Sequence, residues 1–268
     1  MELEEIMALV RSVKGLLEDR KKAGEIIVKG KQDFVTRVDT AVQQYLQKAL
    51  AERYPEIQFM GEENCSREYD PDKPVWILDP VDGTTNLIYD YQMSAVSLGL
   101  VEHGEAVLGV VYNPYTDEMF SAQKGKGAFL NGRPIHVSDA DKLEDSLTAV
   151  GTTPYNKENA DEVFALLKQI FIRCKDIRRC GAASLDLCYV ACGRNDAFLE
   201  RDLKPWDYAA GAAIITEAGG ELCDWTGAPI RFDRNCDILA VNGRLKEAFL
   251  SMVADYAENK ACASSQLN

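Results

Sequence analysis

Apolar residues recur at helical spacing through the first twenty positions: Leu3, Ile6, Met7, Leu9, Val10, Val13, Leu16 and Leu17. The pattern predicts one helix over residues 2–20, stopping near Gly24. The short run "IIV", Ile26 to Val28, predicts a strand, and "KGKQD" after it a turn. A second helix is expected from Asp39 to Tyr54, capped by Asp39 or Thr40 and ended by Pro55. "IQFMGEEN" reads as a strand running into an acidic turn, and "VWILDP" as another strand. From 93 to 137 strands follow one another. Turn signals at His103-Gly104, Asn113-Pro114, Lys124 to Gly127 and Asn131-Gly132 predict an antiparallel meander. Beyond Asp145 strands and helices alternate. "SLTAVGT" is a strand, 157–174 a helix, and "GAASLDLCYVACG" a helix opened by Gly181. "DAFLE" is a strand, 206–218 a helix, and "DILAVN" a strand before a final helix. Alternation of this kind predicts a layered α/β half. No Pro/Gly/Ser linker divides the chain. One domain over 1–268 is expected, with sub-halves at about 1–145 and 146–268 sharing a cleft.

Composition narrows the function classes. The chain has 268 residues and a formal charge of −13. No basic footprint appears, so direct nucleic-acid binding is not expected. No apolar run is long enough to cross a bilayer. The N-terminus lacks the basic start and apolar block of a secretory signal. None of the eight cysteines forms a C-x-x-C pair, and a reduced, cytoplasmic setting is the expectation. Cys188 and Cys192 stand at i, i+4, but with only two histidines in the chain the plainer reading is small buried apolar residues.

The stretch "WILDPVDGTTNL" carries the first chemistry. An apolar strand ends in Asp79, Pro80 breaks it, and a second acid follows at Asp82. Asp82 or Thr84 could cap a short helix, but capping explains one acid and not two. Carboxylates this close resist ionising together unless something positive offsets them. A divalent cation does so, and hard oxygen ligands suit Mg²⁺. The turn directs the Val81 carbonyl toward the same point. Gly83 allows close backbone approach, and a helix starting at Gly83–Thr85 would aim amides at an anion. Metal and helix start in one turn make a phosphate site. Two weaker acidic features accompany it. Glu62 and Glu63 follow a strand, where a solvated turn is the plainer reading. Asp207 opens a helix, where an N-cap is.

In this order the motifs resemble the inositol monophosphatase family, within the Mg²⁺-dependent, lithium-sensitive phosphatases. "DFVTRVD" at 33–39, "GEEN" at 61–64, "DPVDGTTN" at 79–86, "GAASLDL" at 181–187 and "WDYAAGAAIITEAGG" at 206–220 carry the resemblance. It implies a five-layer α-β-α-β-α sandwich of the inositol monophosphatase and fructose-1,6-bisphosphatase type. It implies two to three Mg²⁺ ions held by Glu62, Asp79, the Val81 carbonyl, Asp82 and Asp207. Asp39 and Thr84 resemble the pair that orients the attacking water, with Glu62 in the catalytic set. Asp82, Gly83 and Thr84 resemble the residues that meet the phosphate. Gly181, Ala182, Ala183 and Glu200 resemble the pocket for the alcohol portion. Two departures stand out. Val28, flanked by Lys29 and Lys31, holds a place where the family often has Lys, and the stretch from Glu62 to Asp79 is short.

The implied activity is hydrolysis of myo-inositol monophosphate or a similar small polyol phosphate by metal-activated water, inhibited by Li⁺, in a homodimer. Alternatives are a 3′(2′),5′-bisphosphate nucleotidase or a fructose-1,6-bisphosphatase. Nucleotidase relatives tend to read D-G-T-K-E where this chain reads Asp82 to Asn86. Arg178, Arg179 and Arg201 could meet a second phosphate, or could be surface arginines. Some bacterial relatives are partners of the transcription machinery, which keeps a protein-binding role as the reading of another class.

Overall fold

A computed structural model describes residues 2–30, 33–63 and 69–265. Lys31 and Cys65 lie outside the described residues, as do the side chains of Val28, Lys29 and Cys262. The N-terminal amphipathic run is not one helix. It forms α1 (Leu3–Arg11), α2 (Lys14–Leu17) and α3 (Arg20–Ala23). The apolar spacing survives the breaks, so Ile6, Val10, Val13 and Leu17 are all buried on one side. The hairpin of β1 (Ile26–Gly30) and β2 (Asp33–Thr36) leads into α4 (Arg37–Arg53). The cap of α4 is Thr36 rather than Asp39 or Thr40. Its hydroxyl accepts from Val38 N, and Asp39 is the acid of the capping box.

The next elements are β3 (Gln58–Gly61), β4 (Val75–Asp82), α5 (Thr84–Ile88), β5 (Ala95–Glu102), β6 (Glu105–Asn113), β7 (Glu118–Gln123), β8 (Ala128–Leu130) and β9 (Arg133–Pro134). The strands form one sheet in sequence order, with β3 parallel to β4 and the rest antiparallel. The meander is therefore as the turn signals predict. The remaining elements are β10 (Leu147–Val150), α6 (Ala160–Arg173), β11 (Asp176–Arg178), α7 (Ala183–Ala191), β12 (Ala197–Leu203), α8 (Pro205–Glu217), β13 (Glu221–Asp224), β14 (Cys236–Val241) and α9 (Lys246–Ser265). A second sheet has the order β11-β10-β12-β14-β13. Its edge strands β11 and β13 are too short and too polar for periodicity to single out. The helix expected to open at Gly181 begins at Ala183, with Ala182 as its cap.

The strands' period of two builds the layers. Trp76 and Leu78 of β4 face a core with α1, α2 and α4. Val75 and Ile77 face the opposite core, filled by α7 and α8. Phe198 of β12 and Ile238 of β14 close that second core from the other sheet. Leu199 and Leu239 point outward to α6 and α9. The result is the α-β-α-β-α order. Among the described residues no helix is long and apolar enough to cross a membrane.

The buried helix α8 sits between a sheet and a helix, and its run Ala209–Ala213 is small for that reason. Gly99 of β5 and Gly109 of β6 are cross-strand partners. A Cβ on Gly109 would lie 2.2 Å from the Ala210 carbonyl oxygen, and one on Gly99 2.9 Å from Ala210 N. Backbone blocks both positions, so no rotamer change relieves them. Gly109→Ala is expected to lower stability by roughly 3 kcal/mol, since overpacking at a rigid contact forces the backbone apart. A urea melt checks this, and a midpoint equal to the parent's refutes the contact.

Candidate functional site

The two acids of β4 are three residues apart, a spacing that in a regular strand points them to opposite faces. The strand is not regular there. Asp79 pairs with Ser97 and Asp82 with Ala95, so β4 carries one residue more than β5 across the interval. This bulge turns both carboxyls into one region. Asp79 Oδ1 accepts from Val81 N at 2.9 Å, which shapes the turn around Pro80. Asp82 accepts from Ala183 N at 3.2 Å, Ser184 N at 2.7 Å and Ser184 Oγ at 2.5 Å. Its carboxylate thus sits on the first amides of α7 and ties the two sheets' neighbourhoods together. Neither Asp82 nor Thr84 caps α5. That place belongs to Gly83, at φ +85, where a Cβ would also lie 2.9 Å from the Met93 carbonyl oxygen.

Three further acids converge on the same region. Asp39 is held by Thr36 N at 2.9 Å and Thr36 Oγ1 at 2.6 Å, both on Oδ2. Its Oδ1 accepts from the Thr84 hydroxyl at 3.1 Å, with the Val81 carbonyl as that hydroxyl's alternative acceptor, also at 3.1 Å. Asp207 is the third residue of α8, not its cap, and accepts from Lys204 N at 2.7 Å. Glu62 continues β3, its N donating to the Leu78 carbonyl. Glu63 is not a solvated turn residue but is 4% exposed. Gln43, one helical turn beyond Asp39, clasps its backbone. Glu63 N donates to Gln43 Oε1, and Gln43 Nε2 donates to the Glu63 carbonyl. Gly61 leaves room for that clasp.

Burial raises Asp79 well above the usual carboxylate range, and the charges of Glu62, Asp82, Asp207 and Asp39 raise it further. Burial likewise raises Asp207, with Glu62 and Asp82 adding to it. Asp82 is raised by burial against the opposing hydrogen bonds from Ser184. Among the described residues no three His, Cys, Asp or Glu side chains are already gathered as a ligand set. The acid oxygens instead meet the chain's own N–H and O–H groups. The donor chemistry fits a hard divalent ion all the same: buried carboxylates that disfavour one another's charge, beside a backbone carbonyl.

A cleft of about 340 Å³ opens over Asp82, Gly83, Thr84 and Asp207. Gly181, Ala182, Ala183 and Glu200 line it too. Glu200 Oε1 accepts from Thr153 N at 3.0 Å. A Cβ on Gly151 would lie 1.8 Å from the Glu200 carboxyl carbon, so Gly151 is what admits that side chain. Of the three arginines considered for a second phosphate, only Arg179 lines the cleft. Arg178 pairs with Asp176, and Arg201 pairs with Glu162 and Asp237. Asn86 crosses the cleft wall, donating to the Met93 and Cys180 carbonyls. Cys188 is buried in the core beside α8, as a small apolar residue should be, and both it and Cys192 are free thiols.

Asp186 also lines the cleft, and sequence reasoning missed it. It lies within "GAASLDL", but nothing in that run gives it a role, because its neighbours Cys180 and Glu200 come from other turns of the fold. Burial pushes it up to about 8, with Glu200 and Asp82 adding charge against it and the Cys180 thiol opposing. Burial also holds Glu200 at about 7 and Asp39 at about 6.

The comparisons with known proteins agree along most of the chain. The model of the inositol monophosphatase family matches residues 3–258. "Inositol monophosphatase 3" of Solanum lycopersicum is 40% identical over 251 residues, 87% of this chain and 93% of that protein. "Nus factor SuhB" of Escherichia coli K12 is 38% identical over 233 residues, 87% of each. The solved Thermotoga maritima IMPase superposes with a TM-score of 0.85 at 31% identity, covering 96% of this chain and 98% of that one.

The raised acids predict a pH effect on stability. A carboxyl whose folded pKa is raised binds a proton in the folded state that the unfolded chain has released. Its contribution is present below the ordinary value and lost as pH climbs through the folded one. For Asp186 that window runs from 3.8 to about 8. In EDTA the melting temperature should fall steadily from pH 5 to 8.5, and Asp186→Asn should flatten the upper part of the fall. The acids held low, such as Asp176 and Asp233, act below this window. A flat or rising profile overturns the assignment.

Proposed function

The chain belongs to the inositol monophosphatase family, and from that premise we propose that it is a Mg²⁺-dependent phosphomonoesterase acting on myo-inositol monophosphate or a similar small polyol phosphate. The observation that carries this reading is the group of acids, buried Asp79 and Asp82 with half-buried Asp207, near the Thr84–Asp39 hydrogen bond, with Asp82, Thr84 and Asp207 lining a cleft. Glu62, Asp79, Asp82, Asp207 and the Val81 carbonyl would hold two to three ions. Bound Mg²⁺ supplies the positive charge that neutralises phosphate oxygens, eases deprotonation of water and supports the departing alkoxide.

The chain's own residues supply position. With the Thr84 hydroxyl donating its hydrogen bond to Asp39 Oδ1, its oxygen is left to accept a hydrogen bond from water. That leaves the water's own lone pair toward phosphorus, a geometric contribution rather than strong base catalysis. The backbone around Gly83 and Thr84 meets the phosphate at the start of α5. Glu200, fixed by Thr153 and admitted by Gly151, reads hydroxyls on the alcohol portion.

Asp82→Asn keeps a side-chain oxygen for the α7 amides while removing the charge. It should lower turnover at saturating Mg²⁺ by at least ~10²-fold, since a misplaced ion forfeits several kcal/mol of charge stabilisation. Phosphate release with inositol phosphate measures this, and near-parent turnover overturns the ligand role. Glu200→Ala should reduce kcat/KM more for inositol phosphate than for p-nitrophenyl phosphate, which has no hydroxyls to read. Equal losses on the two substrates overturn the specificity role.

The match to a protein named as a Nus factor favours one further reading, a role in binding protein partners that does not need catalysis. Complementation of a deletion of the parent gene by the Asp82→Asn chain separates the two. Full complementation by an inactive chain supports the binding role.

A further inference from the structure

Lys204 stands where the acid group meets the rim of the cleft. Its Nζ lies 3.9 Å from Glu62 Oε1. The same ammonium is 5.1 Å from the centre of the Tyr155 ring and 5.6 Å from that of Trp206. Its backbone N meanwhile donates to Asp207 Oδ2. One residue therefore reaches two acids of the site, Asp207 through its main chain and Glu62 through its side chain. At 3.9 Å the contact with Glu62 is one of charge rather than a formed hydrogen bond. The two aromatic faces give the ammonium a second resting place when it leaves the acid. The side chain is 25% exposed and Glu62's is 18%, so the pair is neither buried nor freely solvated.

We propose that the Lys204 ammonium is a resident counter-cation that competes with the divalent ion for Glu62 and so lowers the affinity of the site for metal. The proposal rests on the metal-dependent reading above. A unit positive charge about 4 Å from a carboxylate offsets that carboxylate's repulsion of Asp79 and Asp207 in the metal-free protein. The same charge repels an incoming divalent ion over the same distance. Glu62 cannot face both at once. Metal enters on that side as Lys204 moves toward Tyr155 and Trp206, and the long flexible stem of a lysine permits the movement. An arginine would keep the charge, and a methionine would keep only the stem.

The test uses the full chain stripped with EDTA and then dialysed, titrated with Mn²⁺ by calorimetry at low ionic strength. Lys204→Met should bind Mn²⁺ about fivefold more tightly than the parent, a modest change because the pair is partly solvated. Lys204→Arg should stay within about twofold of the parent. Lys48→Met removes a cation from the exposed pair with Glu52 and controls for net charge; it should leave the affinity unchanged. In EDTA, Lys204→Met should melt about 2 °C below the parent, because one positive charge beside Glu62 has been removed. Lys204→Gln runs beside it in case the methionine chain folds poorly. Parental affinity or weaker binding in both uncharged variants overturns the proposal while leaving the phosphatase reading intact. A parent chain that takes up no Mn²⁺ overturns both.

Discussion

The structure turns on placing several carboxylates together out of water. An isolated carboxylate taken from water is strongly disfavoured, and like charges beside it make matters worse. The chain meets this with helix starts. Asp39 is the third residue of α4, Asp207 the third of α8, and Asp82 receives the first amides of α7. Each acid therefore faces the positive end of a helix dipole and accepts real N–H donors. Helix α5 begins at Thr84 in the same region. Four chain segments start their helices around one point, and the acids stand among them.

That convergence imposes demands far from the acids. The start of α8 reaches the region only if the helix lies flat on the sheet, which requires backbone contact at Gly99 and Gly109. The start of α7 must lie beside α8, and Gly211 admits Leu187 to make that contact, since a Cβ there would lie 2.6 Å from Leu187 Cδ1. The bulge of β4 turns two acids to one side, and Pro80 stands inside it with no N–H to lose. Small residues in the middle layer are thus part of the site's construction, although none of them touches it. A single methyl group at Gly109 would press on Ala210 and so act on Asp207 one helical turn away.

Much of this was legible along the chain, and the limits have physical causes. The period of two in the meander and the alternation after Asp145 describe local geometry, so they give the layers correctly. The motif acids were legible because their spacing sits within single turns. The cap of α4 was misplaced by a turn because Asp39 looks like a cap until Thr36 is seen to share its oxygen. The long N-terminal helix was split because apolar spacing records which residues are buried and not whether the backbone between them stays helical. Gln43, Gly151 and Lys204 lie outside the motifs, and Asp186, inside one, carried no signal of its own. Each acts on a residue at least twenty positions away or across another element, and such partners are written only in the fold.

The same tertiary partners weigh on the choice between a monophosphate and a bisphosphate. A second phosphate would need cations that are not already committed, and Arg201 and Arg178 are both paired with carboxylates away from the cleft. Arg179 remains, with Lys157 beside it on the lining. The Arg179 guanidinium donates to Thr152, and its charge opposes the burial that raises Glu200. It therefore already has an anion to face within the chain. Drawing it away to a second phosphate would leave Glu200 more strongly protonated and weaken it as an acceptor for hydroxyl groups. A polyol carrying one phosphate would use both residues as they stand, with Glu200 receiving hydroxyls and Arg179 opposing the burial that favours its protonation. That is the ground on which we propose a hydroxyl-rich monophosphate over a doubly phosphorylated sugar or nucleotide.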